Sequence, residues 1–179
     1  MMTAAQIIEH YKLEPLEQEG GFFRQVWRSP HRLSHQALGS AYPESGDHPM
    51  GTVIYFLLTE DSFSAMHRLP TPEHWFYHLG DPAEMLLLHA DGSSALRLLG
   101  SDLSQGQSIH LVTPSSSWQG TRLSEGGRHG YMFGSCVMIP GFEWTDFELG
   151  ERNALSANYP EQAAPIRLRT RDTLFHGAI

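Results

Sequence analysis

The chain of 179 residues holds a single cysteine, Cys136. One thiol cannot close an internal disulfide, so nothing here calls for an oxidising compartment, and in an apolar strand it reads as a buried, inert thiol. Lysine is equally scarce: of 12 basic residues only Lys12 is one, against 20 acidic residues. The formal net charge of −8 repels phosphate backbones and anionic lipid. Neither a nucleic acid nor a membrane is an expected partner. No basic cluster stands out, and the alternating Arg167, Arg169 and Arg171 suit one solvated strand face. Apolar runs such as Val53–Leu58 are far too short to cross a bilayer. Residues 1–10 lack the basic segment and long apolar stretch of a secretion signal, which predicts a cytoplasmic protein. Also missing are a glycine-rich phosphate loop, a nucleophile elbow and paired CxxC motifs. Their absence removes the common nucleotide-binding, hydrolase and zinc-finger readings.

What is present reads as one domain with enough apolar material for a core, 40% of the residues being hydrophobic. Thr3-Ala4-Ala5-Gln6 is a capping box, and Ile7, Ile8 and Tyr11 fall on one face, which predicts a short helix over 4–12. Glu19-Gly20-Gly21 breaks the chain's direction, and Phe22–Arg28 reads as a strand. Residues 29–50, rich in Ser, His, Gly and Pro, read as a long surface loop, a candidate lid. From Gly51 onward, short apolar or alternating runs are separated by turns such as Pro70-Thr71-Pro72, Gly80-Asp81-Pro82 and Pro140-Gly141. The last of these runs is Phe142–Leu149. Many short strands with regular turns predict an all-β sandwich or barrel over about 22–149. The tail, 150–179, is expected to add a minor helix and an edge segment.

Eleven histidines is a high number for this length. His67, His74 and His78 cluster around Glu73, and such side chains can hold a metal when three or four converge. Side chains on a strand alternate between faces. Glu73, Trp75 and Tyr77 therefore share one face, and His74, Phe76 and His78 the other. His67 with Glu73 is the plausible inward pair, and two ligands seldom complete a metal site.

His67-Arg68-Leu69-Pro70-Thr71-Pro72-Glu73, followed by Gly80, resembles the first conserved motif of the cupin superfamily. His67 stands at the first histidine and Glu73 at the glutamate, while Leu69 replaces the second histidine. Gly106, Pro114, Ser116 and Gln119 fall where the second motif lies, with Gln119 in place of its histidine. The chain resembles more closely the cupin subfamily DUF985, or cupin-5. The matching segments are Glu19-Gly20-Gly21-Phe22, Val53–Leu58, His67-Arg68, Glu73 with Trp75, Leu99-Gly100 with Asp102-Leu103, Trp118-Gln119-Gly120, Cys136-Val137 and Pro140-Gly141-Phe142-Glu143. One departure is Glu17-Gln18, where the subfamily usually has His-Pro.

The resemblance implies a double-stranded β-helix, or jelly-roll, barrel that commonly forms a homodimer and binds a small molecule inside. It supplies no reaction. The first functional expectation is a metal-independent isomerase or epimerase for a sugar-nucleotide-like or carbonyl substrate. In it His67 is the base, Glu73 orients it, and Tyr55 or Tyr77 returns the proton. Trp75, Trp118, Gln119, Glu143 and Arg68 are the expected ligand-binding residues. No cofactor is expected. The alternatives are a non-catalytic binding or structural cupin and a metal-dependent dioxygenase or isomerase. The last would use His67 and Glu73 with a substitute ligand such as His110 or His129.

Overall fold

The chain enters the fold through its capped helix. In the computed structural model, which describes residues 2–40, 42 and 46–171, helix α1 spans Ala4–Tyr11. The Thr3 hydroxyl accepts from the Gln6 amide, and the Gln6 side chain accepts from the Thr3 amide. Beyond it lie β1 (Glu14–Pro15), β2 (Phe22–Arg28), β3 (Arg32–Leu33), a one-turn helix α2 (His35–Leu38), β4 (His48–Pro49), β5 (Thr52–Thr59) and β6 (Phe63–Arg68). Then come β7 (Glu73–Gly80), β8 (Ala83–Leu88), β9 (Ser94–Leu99), β10 (His110–Thr113), β11 (Trp118–Leu123), β12 (Tyr131–Met138), β13 (Glu148–Leu149), α3 (Arg152–Asn158) and α4 (Ala163–Arg167).

Two antiparallel sheets make the barrel, one ordered β1-β2-β5-β12-β7-β10 and the other β13-β6-β11-β8-β9. Their facing sides enclose a core that includes Phe56, Leu58, Trp75, Met85, Leu87 and Met132. Several strands are buried on both faces, which is why their sequences read as apolar runs rather than clean alternations. Outside the first sheet, α1 packs Ile7 with Leu57, Tyr131 and Phe133. Outside the second, Met66, Leu86 and Leu88 pack under Leu155 of α3 and Ile166 of α4.

The all-β jelly-roll class therefore stands, with two differences in detail. Phe142–Leu149 is not a full strand: its middle is a 3-10 turn at Trp144–Asp146, and only Glu148–Leu149 pairs, with β6. The C-terminal arginines do not form a solvated strand face. Arg167 ends α4, and Arg169 is fully buried, ion-paired with Glu84 and hydrogen-bonded to the Pro165 carbonyl. A spacing of two mimicked a strand, but helix and turn geometry with a buried acidic partner decided the outcome. The minor helix expected for the tail is two short helices joined by a 3-10 turn. Among the described residues no helix is long and apolar enough to cross a membrane.

Candidate ligand-binding site

Strand parity sorts the histidine cluster. On β7, Glu73 and Trp75 are buried inside the barrel, whereas His74 lies outside, where the His110 ring stacks between it and Phe76. Strand β11 lies beside β6 with Gln119 opposite His67, and beside β8. These pairings bring four sequence-predicted residues into one buried network. Gln119 Nε2 donates to Glu73 Oε2 at 2.5 Å and lies 3.1 Å from His67 Nε2. Gln119 Oε1 accepts from Trp75 Nε1 at 3.2 Å and from the Thr113 hydroxyl at 2.6 Å. Trp75 Nε1 also donates to Glu73 Oε2 at 3.0 Å.

The partners assign the histidine tautomer. His67 Nδ1 donates to the Ala65 carbonyl at 2.7 Å, so Nε2 is the lone-pair nitrogen that accepts from the Gln119 amide. Burial lowers the His67 pKa, the nearby Glu73 opposing this, and the ring stays neutral. Phe147 stacks on its face at 5.1 Å.

A cavity of about 260 Å³ lies next to this network. Its apolar wall includes Leu16, Phe23, Ile54, Leu69, Met138, Phe142 and Trp144, and its polar groups include Glu19, Gln25, Arg28, Glu73 and Glu143. His67, Gln119 and Trp75 do not reach this wall; they stand behind Glu73 and hold it. Glu73 is the member of the network that faces the cavity.

The second carboxyl on the wall, Glu19, escaped the sequence reading. It sits where Gly20 and Gly21 turn the chain at φ angles of 108° and 72°. A side chain at Gly20 would come within 2.2 Å of the Phe63 carbonyl, so only glycine lets this turn lie against β6. The Ser64 hydroxyl donates to Glu19 Oε1 at 2.5 Å, and the Ala65 amide donates to the Glu19 carbonyl at 2.8 Å. Loss of hydration raises the Glu19 pKa to about 7, against the opposing Ser64 hydrogen bond. Loss of hydration also raises the pKa of Glu73, and repulsion from Glu19 adds to it. Cys136 lies against Glu73, and burial with the two carboxyls nearby pushes its thiol well up, so it stays protonated. The Glu-Gly-Gly motif was the available signal for Glu19, because paired glycines beside an acid fix where that acid lies.

The other expected site residues are dispersed. Tyr77 is inside the barrel, but its hydroxyl donates to the Gly80 carbonyl and it does not line the cavity. Tyr55 faces outward and packs against Tyr11 and Phe133 near α1. Trp118 and Arg68 pack together outside the barrel, the guanidinium 4.7 Å from the indole centroid. Arg68 also pairs with the exposed Glu148. Trp118 and Gln119 are neighbours on β11, so parity allows only one of them to point inward; the pairing of Gln119 with His67 decides which. Glu143 does border the cavity, ion-paired with Arg28 and Arg32.

The donor set does not suit a metal. Gln119 Nε2 contacts both His67 Nε2 and Glu73 Oε2, the two atoms a cation would need. Leu69 offers no ligand atom. His110 is hydrogen-bonded to His74 on the outer face, and the backbone at His129 is tied to Asp81, so neither completes the set. Among the described residues no group of three or more His, Cys, Asp or Glu side chains is placed to hold a metal ion.

Comparison with known proteins follows this geometry. The pattern of the family described as Cupin superfamily (DUF985) matches residues 5–150. No curated protein matches the chain. A hypothetical protein from Leishmania major is 28% identical with a TM-score of 0.84, covering 96% of this chain and 100% of its own. A protein from Shewanella oneidensis is 29% identical with a TM-score of 0.80, covering 96% of this chain and 99% of its own. A mutant oxalate decarboxylase from Bacillus subtilis is similar in fold alone, at 14% identity and a TM-score of 0.50, covering 89% of this chain and 38% of its own. With most of its length matched by the family pattern, the chain belongs to the cupin superfamily, in the family DUF985.

Proposed function

We propose that the barrel binds a small carbonyl compound and isomerises it by metal-independent proton transfer, with Glu19 and Glu73 as base and acid. The observation that carries this is the placement of two carboxyls, coupled by repulsion, on the wall of one largely apolar cavity. Groups with pKa values near neutrality serve general acid–base chemistry best. Glu73 takes the protonated role: burial and repulsion from the Glu19 charge raise its pKa and outweigh the hydrogen bonds that Gln119 and Trp75 donate to its Oε2. Glu19, at about 7, takes the ionised role. Glu19 removes a proton from the carbon beside the carbonyl, and the C–H electron pair becomes the C=C bond of an enol. Glu73 gives its proton to the carbonyl oxygen. Return of both protons, the carbon receiving its own on a different face or position, yields the isomer with no oxidant or reductant. In this reading His67, expected from sequence as the base, positions Glu73 through Gln119, and Tyr55 and Tyr77 take no part.

The size of the cavity narrows the substrate. At about 260 Å³ the cavity lies just below the ~300–1,000 Å³ range of drug-sized ligand pockets, so it takes a small compound. A whole sugar nucleotide exceeds that. The test is proton exchange in deuterium oxide, followed by NMR on a panel of small ketones, keto acids and sugars. Exchange should fall roughly 100-fold or more in Glu73→Gln, and in the wild type it should rise as pH approaches about 7 and Glu19 loses its proton to become the base. Unchanged exchange in Glu73→Gln would overturn the assignment. No exchange with any compound by the wild type would favour a non-catalytic binding cupin.

A further inference from the structure

The mouth of the cavity carries a charge arrangement that acid–base chemistry does not use. Arg28, at the end of β2, and Arg32, on β3, both direct a guanidinium nitrogen at the same oxygen, Oε1 of Glu143. Arg28 also donates to the Phe142 carbonyl at 3.3 Å, and Arg32 to the Asp47 carbonyl. Two fixed cations thus share one carboxylate. Arg28 and Glu143 both line the cavity, and the three side chains stay partly open to solvent, at 37%, 44% and 27% exposure. Guanidinium forks recognise carboxylates by paired charge-assisted hydrogen bonds. Glu143 belongs to a turn rather than a full strand, so its side chain can swing into solvent without unpairing a sheet.

We infer that Glu143 occupies an anion site, and that the ligand is a small monocarboxylate with an apolar body whose carboxylate replaces Glu143 between Arg28 and Arg32. The inference deepens the proton-transfer reading and rests on it for the carbonyl, but not for the carboxylate. A monoanion preserves the charge balance of the mouth, whereas a phosphate dianion would add a charge that no further cation on the cavity wall meets. The apolar wall of Phe23, Ile54, Leu69, Met138 and Trp144 would receive the body of the ligand. The carbonyl would then lie deeper, toward Glu73 and Glu19. Glu143, expected from sequence to contact ligand directly, becomes its internal competitor.

The test is binding, which is independent of turnover. Benzoate and phenylpyruvate are titrated against the intact protein, with benzamide and methyl phenylpyruvate as their neutral counterparts. Intrinsic tryptophan fluorescence, to which Trp144 on the wall contributes, and calorimetry report binding. The acids should bind the wild type at least tenfold more tightly than the neutral compounds. Arg28→Gln should remove that preference by weakening the acids far more than the neutral compounds. Glu143→Gln should tighten the acids several-fold, an outcome that a merely structural Glu143 would not produce. Circular dichroism checks that each variant is folded. Equal binding of acid and neutral compound, no gain in Glu143→Gln, or no acid binding at millimolar concentration by either protein would overturn the inference. Acid binding without proton exchange would preserve the anion site and refute the catalytic reading alone.

Discussion

Gln119 uses all four of its hydrogen-bonding positions inside the barrel. Its amide nitrogen meets Glu73 and His67, and its oxygen accepts from Trp75 and Thr113. Buried networks of this kind are costly to leave half satisfied, because each stranded group loses water without gaining a partner. Gln119→Leu fills a similar volume but leaves His67 Nε2 and the Thr113 hydroxyl without this partner and Glu73 with one donor fewer. The expected cost is about 3 kcal/mol, a fall in Tm of roughly 6–12 °C for a chain of this size. Thermal denaturation checks it, and a fall of only a degree or two would show that the network tolerates the loss. That Gln119 stands at the second motif's histidine position was legible in the sequence. That its amide bridges His67 and Glu73 was not, since cross-strand register sets who meets whom.

At the scale of elements, the segment 29–50 departs most from its sequence reading. Instead of an uninterrupted surface loop, its described residues include the paired strands β3 and β4 and the turn of helix α2. Its anchor is His48, fully buried in β4, whose Nε2 lies 2.8 Å from Asp146 Oδ2. Burial raises the Asp146 pKa, with His48 opposing the shift. Asp146 closes the same 3-10 turn that places Trp144 on the cavity wall, so this pair fastens the segment carrying Arg32 to the rim. Removing one partner of a buried pair strands the other. His48→Ala should therefore destabilise the fold by about 3 kcal/mol. It should also loosen the rim, which denaturant unfolding and Trp144 fluorescence would detect together. Unfolding at wild-type denaturant concentration would refute the anchoring role. A lone histidine in a polar stretch has no periodic signal, and its partner lies 98 residues away.

For the whole molecule, the carboxyl pair ties stability to pH. The folded chain holds the Glu19 proton to about 7, whereas an ordinary glutamate releases it near 4.5. Between those values the native state binds more protons than the unfolded state, so this group's contribution is full below about pH 4.5 and fades as pH rises through about 7. Allowing for water in the cavity, the loss is on the order of 2 kcal/mol, or roughly 4–8 °C in Tm. Glu19→Gln, which keeps the shape and removes the charge, should flatten that part of the profile relative to wild type. Parallel slopes for the two proteins in differential scanning calorimetry would show that Glu19 titrates normally. The sequence could not foresee this term, because a glutamate in a Glu-Gly-Gly turn reads as exposed until β6 closes over it.

Local pattern alone determined the capped helix α1, most strand positions from β2 to β12, and the inward parity of Glu73 and Trp75. These depend on neighbours within a few residues, and the spacing of apolar side chains records them directly. The motif residues also identified the family, because their order along the chain is itself the signal. Only the tertiary structure decided that Tyr55 and Trp118 face outward and that Arg169 is buried. It also placed His67 behind Glu73 and brought Glu19 to the same cavity. Those outcomes rest on contacts between segments far apart in the chain. There the burial of both sheet faces and the pairing of charges overrule what any single strand announces.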